Sequence, residues 1–570
     1  MKIIEETENV ISDKKIDILY PNVKIHDGYI VTEEKVKDVL TLTKVANSIR
    51  IKSVLENIDT GEIFFELEYS YKDSYKTLIV PRVQCLIKRE LLQLQKSGVD
   101  VLESNATVIM HHLHNEEAKA PVKRIHSKLG FAKHEDKLVF KHYKSIGLDS
   151  VYNGNLKIEP HGNYEPWKEM IEKHVLGNIP LQTNLMVGLS SALVAMIGSA
   201  NSIDTLIIHK CGNSTSGKTT GSRLAISPWG YPDSRENGLF TTWNSTANAL
   251  LSNLNGNCGL AVVFDEISMS DGEDFTKLIY RLAGGVDKKR LNKDSTIKES
   301  GKWSSTFESN GEFSILAKSK KNDGIRMRVI EFKNINWTTD AESADEIKDT
   351  CINNYGHAGI KFAKKLLNLG IDKIQMVYKK ETEKINKQLR EEGINDNFVS
   401  RRAYKLAILS TTARIAKVAL NIDFHVKEIT KFLISNEKES SLDRNIEQTA
   451  YEYFLQQYAI NEKKFIKNHT KSDSIETWGT YTGKLSKPDE ICIYPDIFKR
   501  IMNTGGYEDE KIILKQWKES GLLDCEEDRY TRKRKLSSTG SRVHVHVVKV
   551  LDKNNSSSDS EQVATNLEDL

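Results

Sequence analysis

The chain has 570 residues, enough to bury more than one hydrophobic core. Hydrophobic residues make up 39% and charged residues 28%, and 82 Lys and Arg face 79 Asp and Glu, a net charge of only +3. This is a soluble globular balance that excludes nucleic-acid binding through global charge, so any basic surface is local. The six cysteines are scattered without a C-x-x-C pair, which excludes a zinc ribbon and a disulfide framework. No signal peptide opens the chain, so a reducing cytoplasmic setting is expected.

Residues 1–165 read as an α+β domain. Met1 to Ser12 is polar and expected to fray. Leu40 to Val54 reads as extended, and Glu62 to Tyr71 alternates as a half-buried strand does. Cys85 to Ser97 has helical spacing, with Gly98 placed as its cap. No catalytic constellation stands out, and there is no D-x-D pair. Pro160 to Pro166 reads as a connector. Trp167 to Val175 and Leu181 to Ala200 read as helices. The stretch Leu185 to Ala200 is strongly apolar but too short for a comfortable membrane span. It is expected as a buried core helix, with no membrane partner.

Residues 166–340 are the informative block. Thr205 to Lys210 (TLIIHK) has the length of a buried parallel strand. The loop Gly212, Asn213, Ser214, Thr215, Ser216, Gly217, Lys218, Thr219 follows at once, and Thr220 to Ile226 continues as a helix. Strand, glycine loop and helix N-terminus together cradle phosphates with backbone N–H groups. Lys218 supplies charge to the β- and γ-phosphates of ATP, and Thr219 a hydroxyl for Mg²⁺. Leu260 to Glu266 (LAVVFDE) is a second buried strand with two acids at its C-terminal end. Asp265 is expected to hold Mg²⁺ through water, and Glu266 to activate the attacking water.

Phe307 to Ile315 reads as a third strand, with Asn310 as a polar sensor of the γ-phosphate; the plainer alternative is an Asn-Gly turn. Asn322 to Phe332 (NDGIRMRVIEF) places Arg326 and Arg328 on one strand face. Arg328, and second Arg326, is expected to act as an arginine finger on a neighbour's nucleotide, which argues for an oligomer. The alternative is an edge-strand salt bridge. Between the second and third strands, Gly285 to Lys302 carries Lys288, Lys289, Arg290 and Lys293. These lysines suit sequence-independent contact with single-stranded DNA, against the alternative of a solvated loop.

Residues 341–440 read as a helical lid and linker, with apolar spacing of three and four at Ile360 to Leu369 and Arg402 to Leu420. Residues 441–551 read as a winged helix. Tyr494 to Met502 is one helix, Gly505-Gly506 the turn, and Glu508 to Ser520 the second helix with Lys515 on its outer side. Arg529 to Leu536 and Arg542 to Val550 would pair as a hairpin around Ser537 to Gly540. Arg532, Lys533, Arg534 and Lys535 would form its basic wing on duplex DNA; a protein-contact module is the alternative. His544 and His546 are expected at the surface. Residues 552–570 are Ser-rich and acidic and read as a disordered tail.

The order G-x-x-x-x-G-K-T, apolar-D-E, S-N-G-E, G-x-R-x-R resembles an AAA+ ATPase core. The wording is similar to the helicase-like family of phages, plasmids and genomic islands. Within it, the likeness is to replication initiator helicases of staphylococcal pathogenicity islands and cassette chromosomes (the Rep and Cch proteins). Trp243-Asn244-Ser245-Thr246 and Tyr280-Arg281-Leu282-Ala283-Gly284-Gly285 match that family, and Val399 to Ala407 resembles its helical lid, where Arg401 would sense nucleotide. The resemblance implies a homohexameric ring that translocates on DNA with ATP and loads itself at an origin. It departs at the front, where no primase module is evident. A remodeller or helicase loader without unwinding is the competing reading, and a non-catalytic origin-binding switch a third. Glu266 and Asn310 argue against the switch, and a lysine-rich rather than aromatic loop argues against the remodeller.

Overall fold

The computed structural model describes residues 19–244, 246–270, 274–291, 297–298, 300–319, 323–394, 398–443, 446–468, 476–507, 509–536 and 541–551. The expectations for Met1 to Ser12, Ser245, Lys293, the turn Ser537 to Gly540 and the tail 552–570 lie outside them. The chain divides into two compact units, 1–159 with 256–258, and 160–255 with 259–570.

In the first unit, a three-stranded antiparallel sheet (Val23–His26, Tyr29–Val36, Val39–Asn47) precedes a five-stranded mixed sheet. The segment expected as one extended run from Leu40 breaks at Ser48 between two sheets, because Ser48 N donates to Gly28 O and starts a new pairing. The helical run after Cys85 is also interrupted. Ile87 is extended (φ −121°, ψ 119°), so Arg82–Leu86 and Lys88–Leu91 are separate turns before a 3₁₀ segment that ends at Gly98. Helix Ala106–Glu117 buries Ile109 and Leu113 against Phe65 and Leu67.

The second unit is built on a parallel sheet. Its strands are β1 (Thr205–Cys211), β2 (Phe240–Thr242), β3 (Val262–Asp265), β4 (Ser305–Gly311) and β5 (Val329–Lys333). The spatial order is β2-β3-β4-β1-β5. Every residue of β1 and β4 is buried, as strands covered on both faces of a parallel sheet are, although β4 (STFESNG) is mostly polar. Helix α1 (Ile179–Leu193) continues as a π-helical turn to Gly198. The span 179–201 is long and apolar enough to cross a membrane, yet most of it is buried in this unit. It packs on α2 (Lys218–Ile226) and β4. A helical layer follows, with Ala341–Asn353, His357–Leu369, Ile371–Glu391, α3 (Val399–Leu420) and Val426–Asp443.

Helix Ile446–Ile460 opens a further core cluster that runs to Val548. Here Trp517 is fully buried between Phe498, Phe454 and Tyr451, and its Nε1 donates to Glu447 O at 3.1 Å. Helices Pro495–Thr504 and Glu510–Glu519 stand where the sequence places them, and Arg532–Lys535 pairs antiparallel with Arg542–Lys549. The hairpin Gly479–Lys484 with Lys487–Ile493, not foreseen, extends the same sheet.

The contact between α1 and α2 fixes the start of the phosphate loop helix. A Cβ on Gly188 would lie 1.9 Å from Ala225 O. Gly188→Ala gains helix propensity of about 1 kcal/mol but drives the helices apart at a cost of roughly 1–3 kcal/mol. The variant is expected to melt below the wild type in thermal denaturation; an unchanged or higher melting temperature shows that the helices can separate freely.

Candidate nucleotide site

β1 ends at Cys211, the chain turns through residues 212–217, and α2 starts at Lys218. Thr215 and Gly217 take positive φ of 69° and 77°. A Cβ on Gly217 would also stand 2.4 Å from Thr338 Oγ1, so only glycine fits. Lys218 Nζ donates to Gly212 O (2.9 Å) and Asn213 O (2.6 Å). The cation therefore sits inside the turn, beside the N–H groups of a helix N-terminus. The loop borders a cavity of about 970 Å³. Ser214, Thr215, Ser216, Lys218, Thr219, Thr220, Glu266, Asn310 and Glu312 line one part, and Asn178, Thr338, Asp340 and Asp345 another.

The acids come from the next strand. Thr219 Oγ1 donates to Asp265 Oδ1 at 3.3 Å. Burial pushes the Asp265 carboxyl above its ordinary value, opposed by hydrogen bonds from Asn310 and Thr219 and by the charge of Lys210. A hydroxyl and a carboxylate side by side next to a phosphate cradle fit the hard-oxygen preference of Mg²⁺. Glu266 follows with φ 61°, a strained position for a side chain with a Cβ. Its backbone N donates to Asn310 Oδ1 at 3.0 Å, and its carboxylate accepts from Ser268 Oγ. Asn310 Nδ2 in turn donates to Ser222 Oγ at 3.0 Å. Lys218, Thr219, Asp265, Glu266 and Asn310 thus gather at the C-terminal ends of neighbouring parallel strands, where such sheets bind ligands.

Three further charged residues lie at or under the cavity, and two of them, Lys210 and Glu308, escape a reading by motif. Lys210 and Glu308 form an ion pair of 2.6 Å, at 0% and 1% side-chain exposure, under the loop. The available signal is a charged residue inside each of two otherwise buried strands. Glu312 accepts from Ser214 Oγ at 2.5 Å at the mouth. In the nearby cluster His209, Cys211 and Glu331, the histidine and the carboxylate are engaged by hydrogen bonds. His209 meets Ser309 Oγ and Phe313 O, and Glu331 accepts from Ser314 Oγ and Leu316 N.

The arginines are placed differently from the expectation. Arg326 ends a helical turn, Asp323–Arg326, and β5 begins only at Val329, so Arg326 and Arg328 share no strand face. Buried Ile325 closes the turn, with Arg328 N donating to its carbonyl at 2.9 Å. Arg328 Nη1 donates to Gly324 O at 2.7 Å, and its guanidinium covers the Tyr280 ring at 4.4 Å. Arg401 is exposed at the start of α3, while its neighbour Arg402 is buried against Glu437 at 2.8 Å. None of Arg326, Arg328 and Arg401 lines the cavity.

Among the basic residues, Lys288 and Lys289 are exposed at the base of a short hairpin in which Arg290 and Leu291 pair with Lys298 and Ile297. Lys515 is exposed, 3.9 Å from Glu519. In the wing, Arg532 and Arg534 point to Asp524 at 2.6 and 2.8 Å, because alternate residues of a strand share a face. Lys533 and Lys535 are exposed on the other face. His546 is not at the surface: it is 5% exposed, its Nδ1 lies 2.6 Å from Tyr530 O, and burial holds its pKa below the usual value.

With this geometry in place, known proteins can be compared. Residues 445–553 match the family model "Cch helix turn helix domain", and residues 25–302 match "Domain of unknown function (DUF927)". The solved structure "SCCmec type IV Cch - active helicase" superposes with a TM-score of 0.75 at 23% identity, covering 93% of this chain and 97% of that chain. The chain has the fold of that Cch protein. No curated protein matches it. The Cch-like fold thus spans nearly the whole chain, with the phosphate loop at 212–219 inside the DUF927 region and the basic wing inside the helix-turn-helix region.

The raised pKa of Asp265 has a stability consequence. A carboxyl that prefers its proton in the folded state makes stability fall as pH rises from the ordinary 3.8 through the folded-state value, and the full penalty applies above that value. Asp265→Asn is expected to raise the nucleotide-free melting temperature by a few degrees at pH 7 and to abolish Mg²⁺-dependent nucleotide binding. A lower melting temperature rejects the burial cost.

Proposed function

We propose that the chain is an ATP-dependent DNA helicase and replication initiator of a mobile genetic element, with an AAA+ core and a C-terminal winged helix. The observation that carries this reading is the Asn310 bridge, which joins the Glu266 backbone to the phosphate-loop helix through Ser222. It supports the reading because it ties Glu266 and Asn310 to the 212–219 loop at one end of one sheet, where a water-activating acid, a polar sensor and a phosphate cradle would have to meet. The strand order β2-β3-β4-β1-β5 supports the AAA+ assignment, since the loop strand lies inside the sheet beside the sensor strand.

Thr219 and Asp265 would hold Mg²⁺, which neutralises phosphate charge when bound. Lys218 would leave the carbonyls of Gly212 and Asn213 for the β- and γ-phosphates of ATP. Glu266 would orient and deprotonate the attacking water, and the Asn310 amide would report the γ-phosphate. Arg328 and Arg326 lie outside their own cavity, so their proposed role is in trans on a neighbour's nucleotide, while Arg401, also outside it, is proposed as the nucleotide-sensing arginine of the lid. This is the basis for a self-loading homohexameric ring. Lys288 and Lys289, with Arg290 and Lys293 in the same loop, would face single-stranded DNA in the channel. Lys515 and the wing would hold origin duplex. The helicase reading is preferred to a remodeller or loader because this hairpin presents lysines, and because the similar Cch structure is that of an active helicase.

Strand displacement on forked DNA with either tail tests the reading. The wild type is expected to unwind with ATP, Lys218→Ala to lose hydrolysis and unwinding, and Glu266→Gln to bind ATP without hydrolysing it. Robust hydrolysis by Glu266→Gln rejects it as the base, and ATPase without displacement on any substrate favours the remodeller.

The wing gives a second test. Lys533→Ala with Lys535→Ala should weaken duplex binding and reduce the salt slope by about 2. Arg534→Ala removes one of the two arginines that hold Asp524 and should lower the melting temperature with little change in slope. Equal slopes for both variants would remove the exposed lysines as the phosphate contacts.

A further inference from the structure

Beneath the phosphate loop, Lys210 uses all three ammonium donors. Nζ lies 2.6 Å from Glu308 Oε1, 2.8 Å from Lys218 O and 2.9 Å from Ser222 Oγ. Ser222 Oγ also approaches Glu308 Oε1 at 2.6 Å and Asn310 Nδ2 at 3.0 Å. Asn310 Oδ1 takes the Glu266 N–H at 3.0 Å. Asn184 Nδ2 joins from α1, donating to Gly221 O at 2.5 Å with Glu308 at 3.4 Å. One continuous set of hydrogen bonds thus runs from a buried ion pair to the sensor and the acid.

The direction of these bonds is dictated by the carboxylate. Ionised Glu308 can only accept, so Ser222 must give it the hydroxyl proton. The lone pairs of Ser222 then face Lys210 and the NH₂ side of Asn310. Together with the Asp265 carboxylate, which also accepts from Asn310, and the Glu266 N–H, this holds the Asn310 amide with its nitrogen toward Ser222 and Asp265 and its oxygen toward Glu266. Packing alone would not need charge here. Removing two ions from water costs several kcal/mol each, and an apolar pair of similar volume would fill the same sheet. What an apolar pair could not supply is the polarity of the chain of bonds.

We propose that Lys210, Glu308 and Ser222 are positioning residues for hydrolysis, orienting the Asn310 amide and through it Glu266, while the Lys218 carbonyl ties the same unit to the phosphate loop. This rests on the ATPase reading above. It predicts a defect in turnover rather than in binding.

The test measures ATPase kinetics, binding of a fluorescent ATP analogue and melting temperature for three proteins. These are the wild type, Ser222→Ala, and the charge-free double variant Lys210→Met with Glu308→Leu. Ser222→Ala is expected to bind the analogue within about threefold of wild type and to lose roughly tenfold or more in kcat. The double variant is expected to melt at or above wild type and to hydrolyse as slowly as Ser222→Ala. Wild-type kcat in Ser222→Ala overturns the inference. So does a loss of kcat matched by an equal loss of affinity, or recovery of kcat in a well-folded double variant. If the double variant does not fold, Ser222→Ala decides alone. Hydrolysis by the wild type with an unaffected Ser222→Ala rejects only this inference, whereas no hydrolysis by the wild type rejects the ATPase reading with it.

Discussion

The second unit depends on the parallel register between β1 and β4, which runs without a break from Thr205 against Ser305 to Cys211 against Gly311. This pairing sets Lys210 beside Asn310 and Ile208 beside Glu308. A slip of one residue would invert every side chain of one strand relative to the sheet. Lys210 would lose Glu308, and Asn310 would turn away from Ser222. The apolar positions of both strands fix the register against the helices on each face. The chemistry at the strand ends is therefore set by the packing of Leu206, Ile208 and Phe307, several residues away.

The same geometry explains why so much charge tolerates burial. Lys210, Lys218, Asp265 and Glu308 lie close together, and every attraction among them is stronger than it would be in water. Burial pushes the Lys210 ammonium below its ordinary value, and the charges of Glu308 and Asp265 oppose that shift without cancelling it. Asp265 still sits above its ordinary pKa, so burial outweighs these attractions at that position. The carboxyl is under-compensated where a divalent cation would complete its neutralisation, whereas Glu308, deeper and saturated by hydrogen bonds, has its counter-charge built in. The site thus separates a carboxylate satisfied by the fold from one that the fold leaves short of positive charge.

Much of this was legible in the sequence, and the reasons differ by element. The loop at 212–219 and the acids at 265–266 follow short buried strands with apolar cores, residues 206–208 and 262–264, so the motif and its context agree. Asn310 was legible only as the next polar residue at a strand end. Lys210 and Glu308 were not, because a single charge in a strand does not reveal its partner about a hundred residues away in sequence. The arginine segment misled for a local reason: alternation before Val329 has the period of a strand, but burial of Ile325 bends the chain into a turn. In the first unit, periodicity found Ile63–Tyr71 yet could not locate the break at Ser48, which is made by a hydrogen bond to a residue on another strand.

The wing shows how composition and surface charge come apart. Read as sequence, Arg532 to Lys535 is four consecutive cations. On a strand they split by alternation, and Asp524 sits on one side only. The two arginines, with planar forks suited to carboxylates, serve the fold, and the two lysines, strongly hydrated point charges, face solvent. An arginine held in this way stiffens the strand that presents the lysines. On the proposed reading, affinity for a phosphate backbone would come from fewer residues than the run suggests. It would come with less entropy lost on binding, since the strand that carries them is already braced by its neighbours.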